Sequence, residues 1–430
     1  MNVRVATLLI GQLDLPRLKD AVQHLTDIHD VLRMRLSDAG ESPSLIVAES
    51  AAAPLVFIDI SAGPGESAGG ACLSQTVISA LPGQTFDLVA GPPWSCAIVR
   101  LASDRHIVCL VLHHLLSDST SAMKLLGQLG TLYSGRDITP RPASYAQFSA
   151  RSYPADAGRF WVSESDAAGY RAVEIDAPAG TSGPRTVAWR FHEVEFDGDM
   201  PTIVKGAMQG YRCTPYMLHA AAYCAALAQV FGRSSFVAAT AVYRGDLAPT
   251  PTSVGCYLDI AYFLYRDTPE ANLNELTRGV RRAFLGGLRN LSLKRSIIAD
   301  IKFAGDISKV PPGTFFYDVW IGGAAVPDPD PDFQTAGFSG LTAKPVRYPS
   351  DPGARIITTP YQIWLYSNKL MPGLYLNTAD GSSVSIKANM SVHTNDLVQR
   401  IASAYRNMIL AMDDPHTLVR DIRERMKDQW

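Results

Sequence analysis

Two adjacent histidines close a hydrophobic run in "RHIVCLVLHHLLSDSTSAM", and an aspartate stands four residues after the second. An imidazole titrates near neutrality, so a histidine here can take a proton from an attacking amine or hydroxyl. Side chains alternate across a strand, so His113 and His114 face opposite sides and only one can serve a given cleft. Asp118 can cap a following helix or pair with a basic residue, and either would fix the loop. The N–H groups of that helix's first turn have no intrahelical partner and could hold a developing oxyanion. A plainer explanation stays open beside this one: two satisfied strand-end histidines and an ordinary N-cap. A competing pattern, "GESAG" at Gly65–Gly69, matches the GxSxG nucleophile elbow. It lies in a run of Gly, Ala and Ser, with no strand leading in and no helix leading out, so its serine is not expected to be catalytic.

To hold such residues the chain must supply a strand, a short loop and a helix. "WSCAIVRLA" and "HIVCLVLHH" predict a hairpin around "SDR", and Leu125, Leu126, Leu129, Leu132 and Tyr133 then recur as one helix face. Asp118 or Ser119 would cap that helix. Upstream, "VRVATLLIG" predicts a strand and "LDLPRLKDAVQHLTDIHDVLRMRL" a helix, with Asp14 as cap and Pro16 in the first turn. "SLIVAE" and "LVFIDI" predict short strands. The punctuated stretch 134–186 suggests a boundary, giving units 1–165 and 166–430. In the second unit, "TVAWRFHEVEF", "SFVAATAVYR", "VGCYLDIAYFLYR" and "SSVSIKANMS" read as strands. "CTPYMLHAAAYCAALAQVFG" reads as a helix capped by Thr214, and "TNDLVQRIASAYRNMILAM" as another before a polar tail. Strands and helices without strict alternation favour an α+β fold.

Composition narrows the function. The 430 residues carry a net charge of −2, so the basic excess of a nucleic-acid binder is missing. Six cysteines, at 72, 96, 109, 213, 224 and 256, form no CxxC pair and no zinc-ligand spacing, which predicts reduced thiols in a cytoplasmic protein with no metal. The N-terminus lacks a signal-peptide layout, and "YMLHAAAYCAALAQVFG" is too short to span a bilayer.

Several stretches, in order, resemble the condensation domains of nonribosomal peptide synthesis, within the larger chloramphenicol-acetyltransferase-like group. "IHDVLRMRL" resembles RHExLRTxF, "FDLVAGPPWSCAIVRL" resembles FDLxxGPLxRxxLxxL, and "LHHLLSDSTS" resembles HHxxxDGxS. "SYAQFSAR" is similar to YxDFAxW, "AVYRGDL" to xxGRxxx, "SVGCYLDIAYFLYR" to VGxFVNTLxxR, and "GDISKVPPGTFFYDVW" to RDxSRxPLFxVxF. Together these span about residues 4–412. The chain departs from the pattern at four places. It begins at what would be the second element, without the SxAQxRLW helix. Ser119 replaces the motif glycine, Asp259 replaces the usual asparagine, and HQDxPFE is not recognisable near "LRNLSLKRSI".

The resemblance implies two acetyltransferase-like lobes in a V, with the active site at their junction. It implies His114 as general base or positioner of the nucleophile, supported by His113, Asp118, Ser119 and Arg244, with Asp118 paired to Arg244 across the lobes. Ser117, Gly255, Tyr257 and Asp259 would line the substrate tunnel. No cofactor is bound; the acyl, polyketidyl or peptidyl donor arrives on the phosphopantetheine of a carrier protein. The acceptor is an amine or alcohol, free or carrier-bound, so the bond made is an amide or an ester, and chain release fits the same chemistry. The chain is expected to be a free-standing monomer that binds neither nucleic acid nor membrane. Two other classes stay open: an acetyltransferase-like enzyme using acyl-coenzyme A, and a non-catalytic module that recruits carrier proteins. The resemblance also implies that cyclisation variants, recruitment variants and plant-type acyltransferases would show other motifs than "HHLLSD".

Overall fold

The protein is described from a computed structural model covering residues 2–37, 44–61, 86–149, 157–170, 186–194, 200–245, 248–291, 317–322, 337–345, 355–358, 371–376, 381–390 and 392–427. "GESAG" and most of "AAVPDPDPDFQTAGFSG" and "GDISKVPPGTFFYDVW" lie outside the described residues. Two compact units emerge, and each is made of three separate stretches of chain.

The first unit is Met1–Ser152 with Tyr243–Leu258 and Asp328–Ser350. Its sheet is built on the expected hairpin, β5 (Trp94–Ala102) and β6 (Arg105–His113), paired antiparallel. On one side of the hairpin lies β1 (Asn2–Ile10), antiparallel to β6 over its whole length, and beyond it β11 (Thr342–Pro345). On the other side β4 (Leu55–Asp59) runs parallel to β5. Helices α1 (Leu15–Ile28) and α2 (Ser119–Tyr133) bury their apolar stripes in one core with Leu9, Leu18, Leu25, Leu110, Leu126 and Leu129, none more than 1% exposed. Burying each such leucine contributes about 2 kcal/mol.

Asp14 caps α1 through Arg17 N–H, as its sequence position predicts. The helix does not run on through "DVLRMRL". It stops at Ile28 because His29 turns extended, and Met34–Leu36 (β2) pairs with Leu45–Val47 (β3) instead. His29 is fully buried, and its Nε2–H donates to Gln128 Oε1 at 2.6 Å. Gln128 Nε2 then donates to the Thr252 carbonyl, tying α1 and α2 to the late segment.

Burial, opposed in part by that hydrogen bond, lowers the His29 pKa from 6.5 to about 4. The folded state therefore holds His29 neutral while the unfolded chain protonates it. Its stabilising contribution is complete above pH ~6.5 and is lost as pH falls through that value toward 4, up to about 3 kcal/mol. Buried His219 in the second unit, also held near 4, acts in the same window and direction. Asp118, whose carboxyl is raised by burial, works oppositely: its contribution is present at low pH and is lost as pH rises. Urea unfolding followed from pH 7.5 to 4.5 should show a steep loss, shallower in His29→Gln. Superimposable curves for the two proteins would contradict this assignment.

The second unit is Tyr153–Val242, Asp259–Pro327 and Asp351–Trp430. Its seven-stranded sheet has the order β12-β7-β14-β13-β10-β8-β9, made of Arg355–Thr358, Thr186–Val194, Val384–Asn389, Gly373–Leu376, Val319–Gly322, Ser235–Tyr243 and Leu258–Arg266. The Ala-rich helix Pro215–Phe231 is capped by Thr214 and buried on nearly every side. The helix Asn395–Leu410, capped by Thr394, shares its core. The expected polar tail is helical over Val419–Lys427, with Val419, Ile422 and Met426 buried.

A single cut at residue 165 therefore does not describe the units. The stretch between β8 and β9 belongs to the first unit, and so does the β11 stretch that extends the β1 edge. Within "SVGCYLDIAYFLYR" the strand starts only at Leu258, because the backbone of residues 255–257 bonds to the turn and helix after β6 rather than to a ladder.

Candidate active site

The strand β6 ends at His113, and a tight turn follows, closed by Leu116 N–H donating to the His113 carbonyl at 2.9 Å. His113 N–H donates to the Pro93 carbonyl, and its ring Nδ1 accepts from Leu115 N–H at 3.2 Å. His113 is thus spent on holding the turn, and burial lowers its pKa. The turn carries His114, which is half-buried and places Nδ1 3.8 Å from Cys256 Sγ.

Asp118 is the N-cap of α2. Its Oδ1 accepts from Ser121 N–H and its Oδ2 from Tyr257 N–H, both at 2.7 Å. Those bonds favour the carboxylate, yet burial outweighs them and raises the Asp118 pKa. Two further bonds join the same two segments, and a third, from Tyr145, fastens the later one to another helix. Gly255 N–H donates to Ser121 Oγ at 3.1 Å, Asp118 N–H donates to the Gly255 carbonyl at 3.3 Å, and Tyr145 OH donates to the Cys256 carbonyl at 3.0 Å. Gly255 is required by this closeness, for a Cβ there would lie 2.0 Å from the Tyr145 ring.

The expected Asp118–Arg244 ion pair is not among those of the described residues. Both carboxylate oxygens are taken by main-chain N–H groups, and Arg244, which belongs to the first unit, joins the cluster through its backbone N–H to the Tyr257 carbonyl at 2.7 Å. Ser117 is buried and donates to the Asp118 carbonyl. Tyr257 is buried against Tyr145 and Phe148, with ring centroids 5.6 and 4.8 Å away. Ser119 is the exposed first residue of α2. Asp259 falls in the second unit, where Oδ1 accepts from Ile260 N–H. The first unit thus brings together His113, His114, Ser117, Asp118, Ser119, Arg244, Gly255 and Tyr257.

Two parts of the site were missed from sequence. Asp30 of "IHDVLRMRL" accepts from Ser144 Oγ and from the N–H groups of Tyr145 and Ala146, so it caps the short helix Tyr145–Ser149 (α3) from afar. Ser144, directly ahead of that helix, is itself a capping type, so nothing local signalled that Asp30 would take the role. Cys256 beside His114 was not expected, because nothing in the spacing of residues 114 and 256 links them.

Among the described residues, no three His, Cys, Asp or Glu side chains converge at metal-binding distance. No described helix is long and apolar enough to cross a membrane. The second unit carries a groove of about 670 Å³, lined in part by Phe160, Glu164, Arg266, Arg282 and Arg289.

Comparison with known proteins decides the family. The condensation-domain family model matches residues 1–291. The chain belongs to the condensation-domain family. Tyrocidine synthase 3 of Brevibacillus parabrevis is 31% identical over 149 residues, 35% of this chain and 2% of that protein. This condensation-domain chain spans between 1% and 4% of the length of the curated synthetases first matched. Among solved structures, the X-domain from teicoplanin biosynthesis superposes with a TM-score of 0.71 at 17% identity, covering 98% of this chain and 92% of that one. SgcC5 from Streptomyces globisporus gives 0.69 at 17% identity, covering 96% and 93%. These likenesses establish the α+β condensation-domain fold.

Proposed function

We propose that this condensation domain transfers an acyl, polyketidyl or peptidyl group from a carrier-protein phosphopantetheine thioester to an amine or alcohol. His114 positions the nucleophile and removes its proton. One observation carries this reading: His113 and Asp118 are both consumed by backbone hydrogen bonds that set the turn, while the half-buried His114 makes only a thiol contact among those described. The turn thus fixes the backbone beneath one imidazole whose ring is left uncommitted, which supports general-base catalysis. The N–H groups of Ser119 and Thr120 lie in the first turn of α2, which supports a role as oxyanion donors.

The test is intact-protein mass spectrometry of an acyl-loaded carrier protein mixed with this protein and a panel of amines and alcohols. Loss of the acyl mass with wild type only, and a new amide or ester in solution, establishes the transferase and names the bond. Transfer from acyl-coenzyme A without carrier would favour the acetyltransferase-like alternative. A carrier that binds but stays loaded would make the domain a recruitment module.

A further inference from the structure

The groove in the second unit has no part in the acyl-transfer reading, and its charges do not cancel. We infer that it binds a single-chain amphiphilic anion, an acyl or alkyl chain ending in one carboxylate or phosphate. The inference is independent of that reading. Every residue lining the groove belongs to the second unit, while His114 and Asp118 belong to the first.

Two helices and a strand end shape the groove. The helix Leu273–Arg289 lines it from Glu275 to Arg289, a run of about 21 Å at 1.5 Å per residue. The rest of the lining includes Phe160 and Glu164 of the helix Ala157–Ala167, and Leu264–Arg266 of β9. The two helices meet where the longer one ends. There Trp161 Nε1–H donates to the Asn290 carbonyl at 2.8 Å, and a Cβ on Gly286 would lie 3.2 Å from the Phe160 ring. Two turns back the contact is gone, for a Cβ on Gly279 would meet nothing within 4 Å. The space is about 670 Å³, within the range of small-molecule sites, and it is long rather than round. Phe160, Leu264, Leu276, Val280 and Ala283 give it apolar walls.

The charges select the ligand. Both carboxylates of the lining are already committed. Glu164 Oε2 accepts from Arg266 Nη2 at 3.2 Å, and Glu275 Oε2 accepts from Asn272 N–H at 3.1 Å in the capping box of its helix. On the same helix Arg281 is spent outside the groove, donating to the Arg212 carbonyl at 3.1 Å. Arg282 and Arg289 line the groove and make no hydrogen bond or ion pair among the described residues. Arg289, in the last turn, also offsets the helix dipole, a use that Arg282 in mid-helix does not have. Two uncommitted guanidiniums, about 10 Å apart along an apolar wall, favour an anion with an apolar body.

The experiment is isothermal titration calorimetry of the whole chain near neutral pH. The probes are laurate, dodecyl phosphate, dodecyltrimethylammonium and inorganic phosphate. Laurate or dodecyl phosphate should bind, and the tighter of the two names the head group. Dodecyltrimethylammonium should bind at least ~10-fold more weakly, and inorganic phosphate should give no heat. Replacing both arginines, Arg282→Ala with Arg289→Ala, should weaken the anion at least ~10-fold. Gly279→Leu should remove one bound anion per chain, because its side chain fills the open space. It touches nothing in the free protein and favours the helix, so its thermal melt should match or exceed wild type. Equal affinity for the cation, or no binding of either anion, overturns the inference. Phosphate heat equal to that of dodecyl phosphate removes the apolar half of the site. An anion seated at the acyl-transfer site instead would keep its affinity in both variants, and that result also sinks the groove.

Discussion

Replacing His114 with alanine should lower turnover at least ~100-fold, the usual scale for losing a positioned general base. The same change should leave the unfolding transition where it is in wild type. The imidazole is half-buried, and the one hydrogen bond described for it is a weak contact to sulfur. The turn that carries it is closed by the His113 ring and main chain, which the substitution leaves in place. Steady-state kinetics beside a thermal melt separates the two effects. A variant that keeps wild-type turnover would remove His114 from the chemistry, and one that unfolds would make it a structural residue.

The second large effect is the reverse. Asp118→Ala should destabilise the first unit by about 2–4 kcal/mol, combining the loss of an N-cap with a buried N–H left unpaired at Tyr257. Asp118→Asn recovers only part. Its carbonyl oxygen can still accept from Ser121 N–H, but its NH2 group then meets the Tyr257 N–H, donor against donor. Urea denaturation should therefore rank wild type above Asn and Asn above Ala. An alanine variant with wild-type stability would show that the cap and the link to Tyr257 carry no weight.

The elements that position the site were legible because each has a local cause. The β5–β6 hairpin follows from two apolar runs around "SDR", and α2 from Asp118 ahead of a leucine face. The caps at Asp14 and Thr214 follow from small polar residues placed ahead of apolar periodicity. What failed was non-local. Helix α1 stops early because His29 finds Gln128, 99 residues away, and propensity knows nothing of that. The ion pair expected of Asp118 rests on the resemblance alone, for nothing local to residues 118 and 244 links them. Backbone N–H groups reach it first, and only a fold can bring them there. Asp30 and Tyr145 lie in separate motifs that look independent until one caps the other's helix.

Synthesis gives the segment Tyr243–Leu258 a significance of its own. Tyr257 follows Asp118 by 139 residues. At a ribosomal pace of about 5–20 residues per second, roughly seven to thirty seconds pass before it can exist. During that interval the turn bearing His114 has its helix cap but no Cys256 beside it, no Tyr257 N–H for Asp118, and no Thr252 carbonyl for Gln128. Strand β11 comes later still. The residues that do chemistry are thus translated early and locked late. A nascent chain stalled before residue 243 would carry the histidine pair without the parts that hold it, so competence is withheld until most of the polypeptide has been made.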